Sequence, residues 1–185
     1  MIQGKRIYLR ALELEDYKIS SNWRKDDDIW EMVVGPKYNV STEIEKKWIA
    51  DTIFNKDKTI LAICLNGSNK YIGNIILSDI DWINRSASSS IMLGDKEEWN
   101  KGYAVEAEML FLNFFFSERG LNRINCSILE SNKASIKMHQ KCGYKIEGTK
   151  RQAIYKGGQF IDLHILGLLR EDFEPIYKAY KEEYL

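Results

Sequence analysis

The chain has 185 residues, 44% of them hydrophobic, which suits one domain over residues 1–185 with a sizeable core. Its 27 basic and 27 acidic residues give a formal net charge of zero, so composition argues against nucleic acid or an anionic membrane as partner. The sequence shows no amino-terminal leader pattern and no apolar run of membrane-spanning length, and we expect a soluble, cytoplasmic protein.

The first third of the chain predicts a strand followed by two helices. Apolar and polar residues alternate over 5–10 with the period of a half-buried strand. Residues 13–25 have apolar positions at roughly helical spacing, and the acidic run 25–28 that follows is expected to be a polar loop. Thr42 and Glu45 have the spacing of a capping box, which predicts a second helix through Ile53.

Three strands and a buried helix are predicted in the middle of the chain. The isoleucine-rich segments 59–65 and 71–77 flank Asn66-Gly67, a pair that suits the positive φ angles of a hairpin turn. A further strand is expected over 87–93. The run 103–117 is apolar almost all round and predicts a central helix. The acids near its start, Glu106 and Glu108, are expected to interact with the helix dipole.

The last third predicts a strand, a helix and a closing hairpin. Gly120 ends the central helix and 121–129 has the composition of a strand, after which Asn132 is expected to cap a helix through Lys141. Residues 144–148 begin another strand. Gly157-Gly158 then separates two extended segments, 149–155 and 160–168.

The segment between the fourth predicted strand and the central helix has the composition of an anion-binding loop. Gly102 and Ala104 are small enough to let a ligand approach the backbone. About four amide N–H groups at a helix start lack partners, and the dipole there amounts to roughly half a positive charge. A phosphate or pyrophosphate suits such a site, although a glycine before a helix also occurs in loops that bind nothing.

Segments 99–104, 130–135 and 141–148 together resemble the GNAT superfamily of acetyl-CoA-dependent N-acetyltransferases, and within it the ribosomal-protein alanine and spermidine acetyltransferase branch. The family's loop reads Gln/Arg-x-x-Gly-x-Gly/Ala, and Trp99 stands where Gln or Arg is usual. The resemblance covers nearly the whole chain and is strongest over 87–162. It implies an α/β (α+β) fold with a mixed, mostly antiparallel central sheet and helices on both faces.

The resemblance also implies acetyl-CoA as co-substrate. Its pantetheine arm would lie like an extra strand beside Ile91, Met92 and Leu93, with Asn132 near the arm. Its pyrophosphate would lie on the loop formed by Trp99, Asn100, Lys101, Gly102, Tyr103 and Ala104.

The reaction implied is direct attack of a primary amine on a thioester, in which the amine loses a proton and the thiolate is stabilised. Many relatives place a tyrosine at the position of His139, whose imidazole is either a proton donor or a surface side chain. Ser135 lies either near the thiol of CoA or in a local helix hydrogen bond. Ser88 replaces a frequent glutamate, which leaves Asp79 and Asp81 as candidate bases.

Acids and aromatic residues on the expected acceptor side suit a cationic amine. They are Trp30, Glu31, Tyr38, Asp79, Asp81, Trp82, Tyr155 and Asp162. A protein N-terminus, a polyamine or aminoglycoside, and an amino sugar nucleotide all remain open as acceptors. Asp26, Asp27, Asp28 and Glu31 either steer a cation or form a solvated face. A homodimer through a sheet edge is possible, and the alternative function is a non-catalytic acyl-CoA-binding sensor or partner module.

The cysteines indicate neither a disulfide framework nor a metal site. Cys64, Cys126 and Cys142 are odd in number, lack Cys-x-x-Cys spacing and are accompanied by only two histidines. We therefore expect no metal. Cys142 is interpreted as a small buried hydrophobic residue rather than a nucleophile.

Overall fold

A mixed β-sheet organises the chain in the computed structural model, which describes residues 1–35 and 39–184. The strands are β1 (Ile2–Gln3), β2 (Ile7–Ala11), β3 (Thr59–Leu65), β4 (Tyr71–Asp81), β5 (Ser86–Leu93), β6 (Arg123–Leu129), β7 (Lys145–Lys156) and β8 (Gln159–Leu169). The α-helices are α1 (Tyr17–Trp23), α2 (Asp27–Met32), α3 (Thr42–Ile53), α4 (Tyr103–Asn113), α5 (Lys133–Lys141) and α6 (Arg170–Tyr184).

The strands lie in the order β1-β2-β3-β4-β5-β6-β8-β7. Every neighbouring pair is antiparallel except β5 and β6, which are parallel. The side chains of β3 show how the faces are divided, because Ile63 joins the core beneath α4 while Ala62 and Cys64 join the core beneath α1 and α3. The predicted mixed, mostly antiparallel sheet with helices on both faces is confirmed.

Helix α4 is the centre of the larger core. Phe111 and Leu112 are fully buried, and the ring of Phe111 meets that of Phe115 at a centroid distance of 4.7 Å. The predicted central helix is confirmed, but its last turn widens into a π-helical turn over Phe114–Glu118.

The N-terminal third differs from its prediction in two helix boundaries. The predicted helix 13–25 is divided into a 3-10 turn over Leu14–Asp16 and helix α1. The Asp16 carboxylate lies at the division, where it accepts hydrogen bonds from Arg10 Nη1 (2.8 Å) and from the Glu13 N–H (2.8 Å). Only Lys25 and Asp26 of the acidic run 25–28 lie outside helices, because Asp26 accepts from the Asp28 N–H and caps helix α2, which contains Asp27 and Asp28.

The predicted capping box of α3 is wrong. Ser41 is the N-cap, with its Oγ accepting from the Ile44 N–H at 3.2 Å. Glu45 is buried and instead accepts from Ser20 Oγ (2.6 Å) and Arg24 Nε (3.2 Å), which ties α3 to α1.

The closing hairpin is confirmed, with Gly157 and Gly158 at φ angles of 57° and 82° in its turn. Segments 144–148 and 149–155 belong mostly to one long strand, β7, interrupted by two bulges. Helix α6 was not predicted from the sequence, and its Phe173 packs against Phe116 with ring centroids 5.3 Å apart. No helix within 1–35 and 39–184 has the length and apolar character needed to cross a bilayer.

Candidate active site

The parallel strands β5 and β6 pair over only three positions. The pairs are Ser86 with Arg123, Ala87 with Ile124 and Ser88 with Asn125. Both strands continue, β5 to Leu93 and β6 to Leu129, but beyond Ser88 and Asn125 they share no ladder in the described chain. We call this opening the β5–β6 gap. Backbone N–H and C=O groups along such an open edge require other partners, so an extended ligand suits it.

The predicted pantetheine residues lie on the open arm of β5. Ile91 and Leu93 contact the core beneath α4, whereas Met92 contacts the core on the opposite face. All three pair with β4 on their other side. The Leu93 carbonyl already accepts from Trp99 Nε1 at 2.9 Å, so Trp99 anchors the following loop to the end of β5.

That loop, residues 99–104, forms what we call the cradle. Asn100 and Gly102 have φ angles of 62° and 83°, so two left-handed residues flank Lys101 immediately before α4. Gly102 is the N-cap and has no side chain to satisfy the first amides of the helix. Those amides and the positive end of the α4 dipole meet at one exposed loop, which fits an anionic group.

The Arg6 side chain fixes the position of the cradle. Its Nη1 donates to the Lys101 carbonyl at 2.7 Å, its Nε pairs with Glu106 Oε2 at 2.7 Å, and its guanidinium lies 4.9 Å from the centre of the Tyr103 ring. A Cβ on Gly102 would lie 3.4 Å from Arg6 Nη2. Glu106 lies in the first turn of α4, as expected, and its side chain is only 1% exposed, so it is a buried ion-pair partner of Arg6. The cradle therefore has a cation beside it.

Three acids before the cradle are compensated by lysines. Carboxylate oxygens of Asp95, Glu97 and Glu98 lie within 4.8 Å of one another. Lys70 Nζ lies 2.7 Å from Asp95 and 3.1 Å from Glu98, and Lys101 Nζ lies 2.8 Å from Glu98. The hydrogen bonds from Lys101 and Lys70 lower the pKa of Glu98. The Lys101 ammonium is thus already paired within the loop.

Helix α5 and its cap bring together the predicted residues Asn132, Ser135 and His139. Asn132 Oδ1 accepts from the Ser135 N–H at 3.0 Å, which confirms the predicted cap. His139 Nδ1 lies 2.8 Å from the Ser135 carbonyl and 3.3 Å from Ser135 Oγ. His139 is only 2% exposed, so its interpretation as a surface side chain is wrong.

A buried polar cluster lies beneath His139. Tyr144 donates to Glu108 Oε1 at 2.9 Å, Ser89 Oγ lies 2.8 Å from the Tyr144 hydroxyl, and the Tyr144 and His139 rings meet edge to face at 5.1 Å. Glu108 is fully buried, and this burial raises the pKa of its carboxyl. No sequence pattern predicts this cluster, because Ser89 lies on β5, Glu108 on α4 and Tyr144 between α5 and β7.

Side chains from distant segments hold residues 24–35, which we call the α2 rim. Lys156 of β7 donates to the carbonyls of Trp30 and Val33, and burial lowers the pKa of this lysine. Asn132 Nδ2 donates to the Met32 carbonyl at 2.9 Å. The end of α2 is therefore tied to both α5 and β7.

The acidic residues of the α2 rim are partly compensated. Lys96 Nζ lies 2.7 Å from Asp26 and 2.8 Å from Asp28, and the Lys96 hydrogen bond is the main cause that lowers the pKa of Asp26. Glu31 is exposed. The acidic cluster predicted to steer a cation is therefore partly neutralised by the ammonium group of Lys96.

The other predicted acceptor residues fall into two separate places. Tyr155, 65% exposed, packs against Phe160 at 5.0 Å near Lys156, and Asp162 Oδ1 accepts from the Gln152 N–H at 2.7 Å on the same hairpin. The acids and the aromatic residue of the β4–β5 turn, Asp79, Asp81 and Trp82, lie elsewhere. Tyr38 lies outside the described residues.

The β4–β5 turn gives little support to the candidate bases. Asp81 pairs with Ser86 at the closed end of the β5–β6 pair. Its carboxylate accepts from the Ile83 and Asn84 N–H groups at 2.9 and 2.8 Å, so it stabilises the turn. Asp79 has a left-handed φ of 51° and accepts from Ser78 Oγ at 3.0 Å.

The three cysteines are free and buried, as interpreted for Cys142. Burial raises the pKa of the Cys126 and Cys142 thiols well above the usual range. Both thiols are neutral at physiological pH, which disfavours a nucleophilic role.

Residues 6–145 match the family model described as an acetyltransferase (GNAT) domain. The chain belongs to this GNAT family. It is therefore an acyltransferase. The SPbeta prophage-derived uncharacterized N-acetyltransferase YokL of Bacillus subtilis (strain 168) is 27% identical to it over 172 residues, which cover 92% of this chain and 94% of YokL.

Solved GNAT structures share the fold. The spermidine N-acetyltransferase of Vibrio cholerae, in complex with CoA and spermine, superposes with a TM-score of 0.83 at 21% identity, covering 91% of this chain and 98% of that one. A GNAT-family acetyltransferase of Bacillus anthracis gives a TM-score of 0.81 at 22% identity, covering 92% and 98%. These likenesses confirm the fold predicted from the resemblance.

Proposed function

We propose that this GNAT enzyme transfers the acetyl group of acetyl-CoA to the primary amine of a small cationic molecule or a flexible protein N-terminus, by direct attack on the thioester. The observation that carries the proposal is the β5–β6 gap, which opens beyond Ser88 and leads to a cradle with Gly102 at φ 83°. An extended arm with an anionic end fits this pair of features.

The β5–β6 gap and the cradle would each bind a different part of acetyl-CoA. Ile91 and Met92 present main chain along the open arm of β5, and the cradle amides with the Arg6 guanidinium receive the pyrophosphate. Acetyl-CoA supplies the activated acetyl thioester when bound. The protein's task is then to orient an amine against it and to manage two protons.

A cationic acceptor is supported by the α2 rim and by the relatives. The rim presents the exposed acids Asp27, Asp28 and Glu31, which favour a cation, whereas the predicted acceptor residue Trp30 is buried with the Arg24 guanidinium over its ring. The Vibrio cholerae neighbour has spermine bound. A polyamine-like molecule is therefore the first acceptor to test, ahead of an aminoglycoside, an N-terminus or an amino sugar nucleotide.

Acetyl transfer also requires two proton transfers, so binding of the two substrates is not sufficient for the reaction. With a pKa near 10, about one alkylammonium in a thousand is unprotonated at neutral pH, so the acceptor must lose a proton before attack. The thiolate that leaves must gain one. Ser135 and His139 contact each other along α5, and we assign to them the protonation of the leaving thiolate.

The test is acetyl-CoA turnover, followed by thiol release, with spermidine, an aminoglycoside, a peptide with a free N-terminus and an amino sugar nucleotide. We expect turnover with at least one cationic amine. The control is that amine with its nitrogen fully methylated, which keeps the charge but has no transferable proton. Acetyl-CoA binding without turnover on the whole panel would favour the non-catalytic acyl-CoA-binding module.

A further inference from the structure

Two buried polar atoms in the cluster beneath His139 have no hydrogen-bond partner in the described chain. They are Glu108 Oε2 and His139 Nε2. Tyr144 contacts both residues, because its hydroxyl binds Glu108 and its ring packs against the imidazole. A carboxyl oxygen and an imidazole nitrogen that both lack a partner can satisfy each other, because a single proton between them makes one hydrogen bond for both.

The neighbouring contacts fix where the other protons lie. The Ser135 carbonyl can only accept, so His139 carries a proton on Nδ1 and leaves Nε2 with a free lone pair when the ring is neutral. Tyr144 gives its only proton to Glu108 Oε1, so Ser89 Oγ must donate to the Tyr144 oxygen. Glu108 Oε2 is then the one carboxyl atom of the cluster that can hold a further proton.

We propose that Glu108 and His139 share one proton between Oε2 and Nε2, directly or through one water, and that together with Ser135 they form a relay into the β5–β6 gap. The proposal rests on the proposed function, because the relay delivers its proton to the leaving sulfur of a thioester. Glu108 acts through His139 and is therefore a positioning residue.

The relay moves one proton along three groups. Ser135 Oγ gives its hydrogen to the leaving sulfur, His139 gives its Nδ1 hydrogen to Ser135 Oγ, and Glu108 gives its Oε2 hydrogen to His139 Nε2. The serine and the imidazole end neutral, and Glu108 ends as a carboxylate. The imidazole ends with its hydrogen on Nε2, so after product release one solvent proton enters at Nδ1 through Ser135 Oγ and the Nε2 hydrogen returns to Glu108 Oε2, which restores the starting state with no further reactant.

The groups packed around the pair do not compete for this proton. Cys126 of β6, Cys142 at the end of α5 and Tyr144 before β7 all face Glu108. Burial raises the pKa of each of them, so all three stay neutral at physiological pH. Burial also raises the pKa of Glu108, which favours a carboxyl that keeps its proton until His139 accepts it.

The first test is spectroscopic and needs no substrate. The chain has two histidines, so imidazole ¹⁵N labelling gives two sets of signals, and His164→Gln assigns them. We expect the His139 Nε2 signal of the parent to lie between protonated and unprotonated values, and to move to the unprotonated value in Glu108→Leu. Ser89→Ala, which alters the same cluster but leaves Oε2 and Nε2 in place, is the matched control and should keep the intermediate signal.

The second test is kinetic. Glu108→Gln keeps the side-chain volume and the Tyr144 hydrogen bond but has no acidic proton to release. We expect kcat to fall at least about tenfold, with the acetyl-CoA Kd and acceptor KM little changed. We expect the parent's kcat to fall at alkaline pH as Glu108 loses its proton, this fall to be absent in Glu108→Gln, and Glu108→Asp to restore part of the rate.

Three results separate the possibilities. Identical His139 Nε2 signals in the parent and in Glu108→Leu would overturn the shared proton. If Glu108→Leu does not fold, a Glu108→Gln enzyme with the parent's kcat and pH profile would overturn the relay. Absence of turnover by the parent on every amine would count against the proposed function, while the ¹⁵N spectra would still decide the shared proton.

Discussion

The cradle and the α2 rim are held in place in different ways. The left-handed φ angles of Asn100 and Gly102 define the cradle within a few residues of sequence. The α2 rim begins with a local cap, Asp26, but its end is tied down by Asn132 and Lys156, which lie 100 residues or more from the carbonyls they bind. Acceptor contacts can therefore change by substitutions in remote elements without altering the cradle.

The largest expected effect follows from breaking the cradle. Gly102→Glu imposes a side chain at φ 83°, which costs about 1–2 kcal/mol, and places a negative charge where a pyrophosphate would bind. The strain is the same in the free and the bound enzyme and lowers only the stability, whereas a repulsion of about 3 kcal/mol between the new carboxylate and the pyrophosphate corresponds to about 100-fold in acetyl-CoA affinity. Calorimetry measures it. Gly148→Glu is the control, because it makes the same charge change at a position where an added Cβ would have no other atom within 4 Å. Unchanged affinity in folded Gly102→Glu would remove the cradle from the site.

The next effect tests whether the cradle is purely local. Arg6→Met leaves the Glu106 carboxylate, 1% exposed, without its ion pair and releases the Lys101 carbonyl. We expect the free energy of unfolding in urea to fall by about 2 kcal/mol, with weaker acetyl-CoA binding. Adding Glu106→Gln should recover part of the stability, since the unpaired charge is then absent. A double variant no more stable than Arg6→Met would show that the ion pair is not the cause.

A smaller effect is expected at the α2 rim. Lys156→Met removes the donor to the Trp30 and Val33 carbonyls. If the α2 rim then shifts so that acceptor binding weakens by about 1 kcal/mol, the acceptor KM rises about fivefold and the acetyl-CoA Kd is unchanged. Lys150→Met, an exposed residue of the same strand, is the control. A parallel rise in the acetyl-CoA Kd would show that the two regions are not independent.

The smallest effect concerns the charge of the α2 rim. Replacing Asp26, Asp27 and Asp28 with Asn should raise a cationic acceptor's KM about twofold at low salt and less at high salt. Lys96→Met should lower it, because Lys96 pairs with Asp26 and Asp28. Equal KM values for parent and variants at low ionic strength would exclude steering.

The steering effect also has a defined pH range. Lys96 lowers the pKa of Asp26, so this carboxylate contributes to stability above the ordinary aspartate pKa of about 3.9. The contribution is lost only as the pH falls through the lower folded-state value. The KM difference should therefore persist unchanged across neutral and mildly acidic assays.

Local sequence was sufficient for the features that depend on local backbone. Gly102, the Asn132 cap and the Gly157-Gly158 turn all follow from the preferences of the residues concerned, and each is found where it was expected. The family and the fold followed from the same motifs. The cytoplasmic location, the homodimer and the acceptor stay predictions.

Long-range pairing explains what the sequence did not reveal. Glu106 and Glu108 look alike on a helix start, yet one pairs with Arg6 across 100 positions and the other lies beneath His139. Glu45 fits a capping box by spacing but binds Ser20 and Arg24 instead. Such partners depend on how the elements pack, which residue spacing alone does not encode.

The short pairing between β5 and β6 also affects the resistance of the folded chain to unfolding and proteolysis. Three backbone pairs join the β1–β5 part of the sheet to the β6–β8 part, with α4 crossing between them. A ligand lying in the gap would add contacts to both parts at this short junction. At a hundredfold excess over Kd, binding to the folded state alone is worth about 2.7 kcal/mol. The supply of thioester would thus set the chain's resistance to proteolysis as well as its rate of turnover.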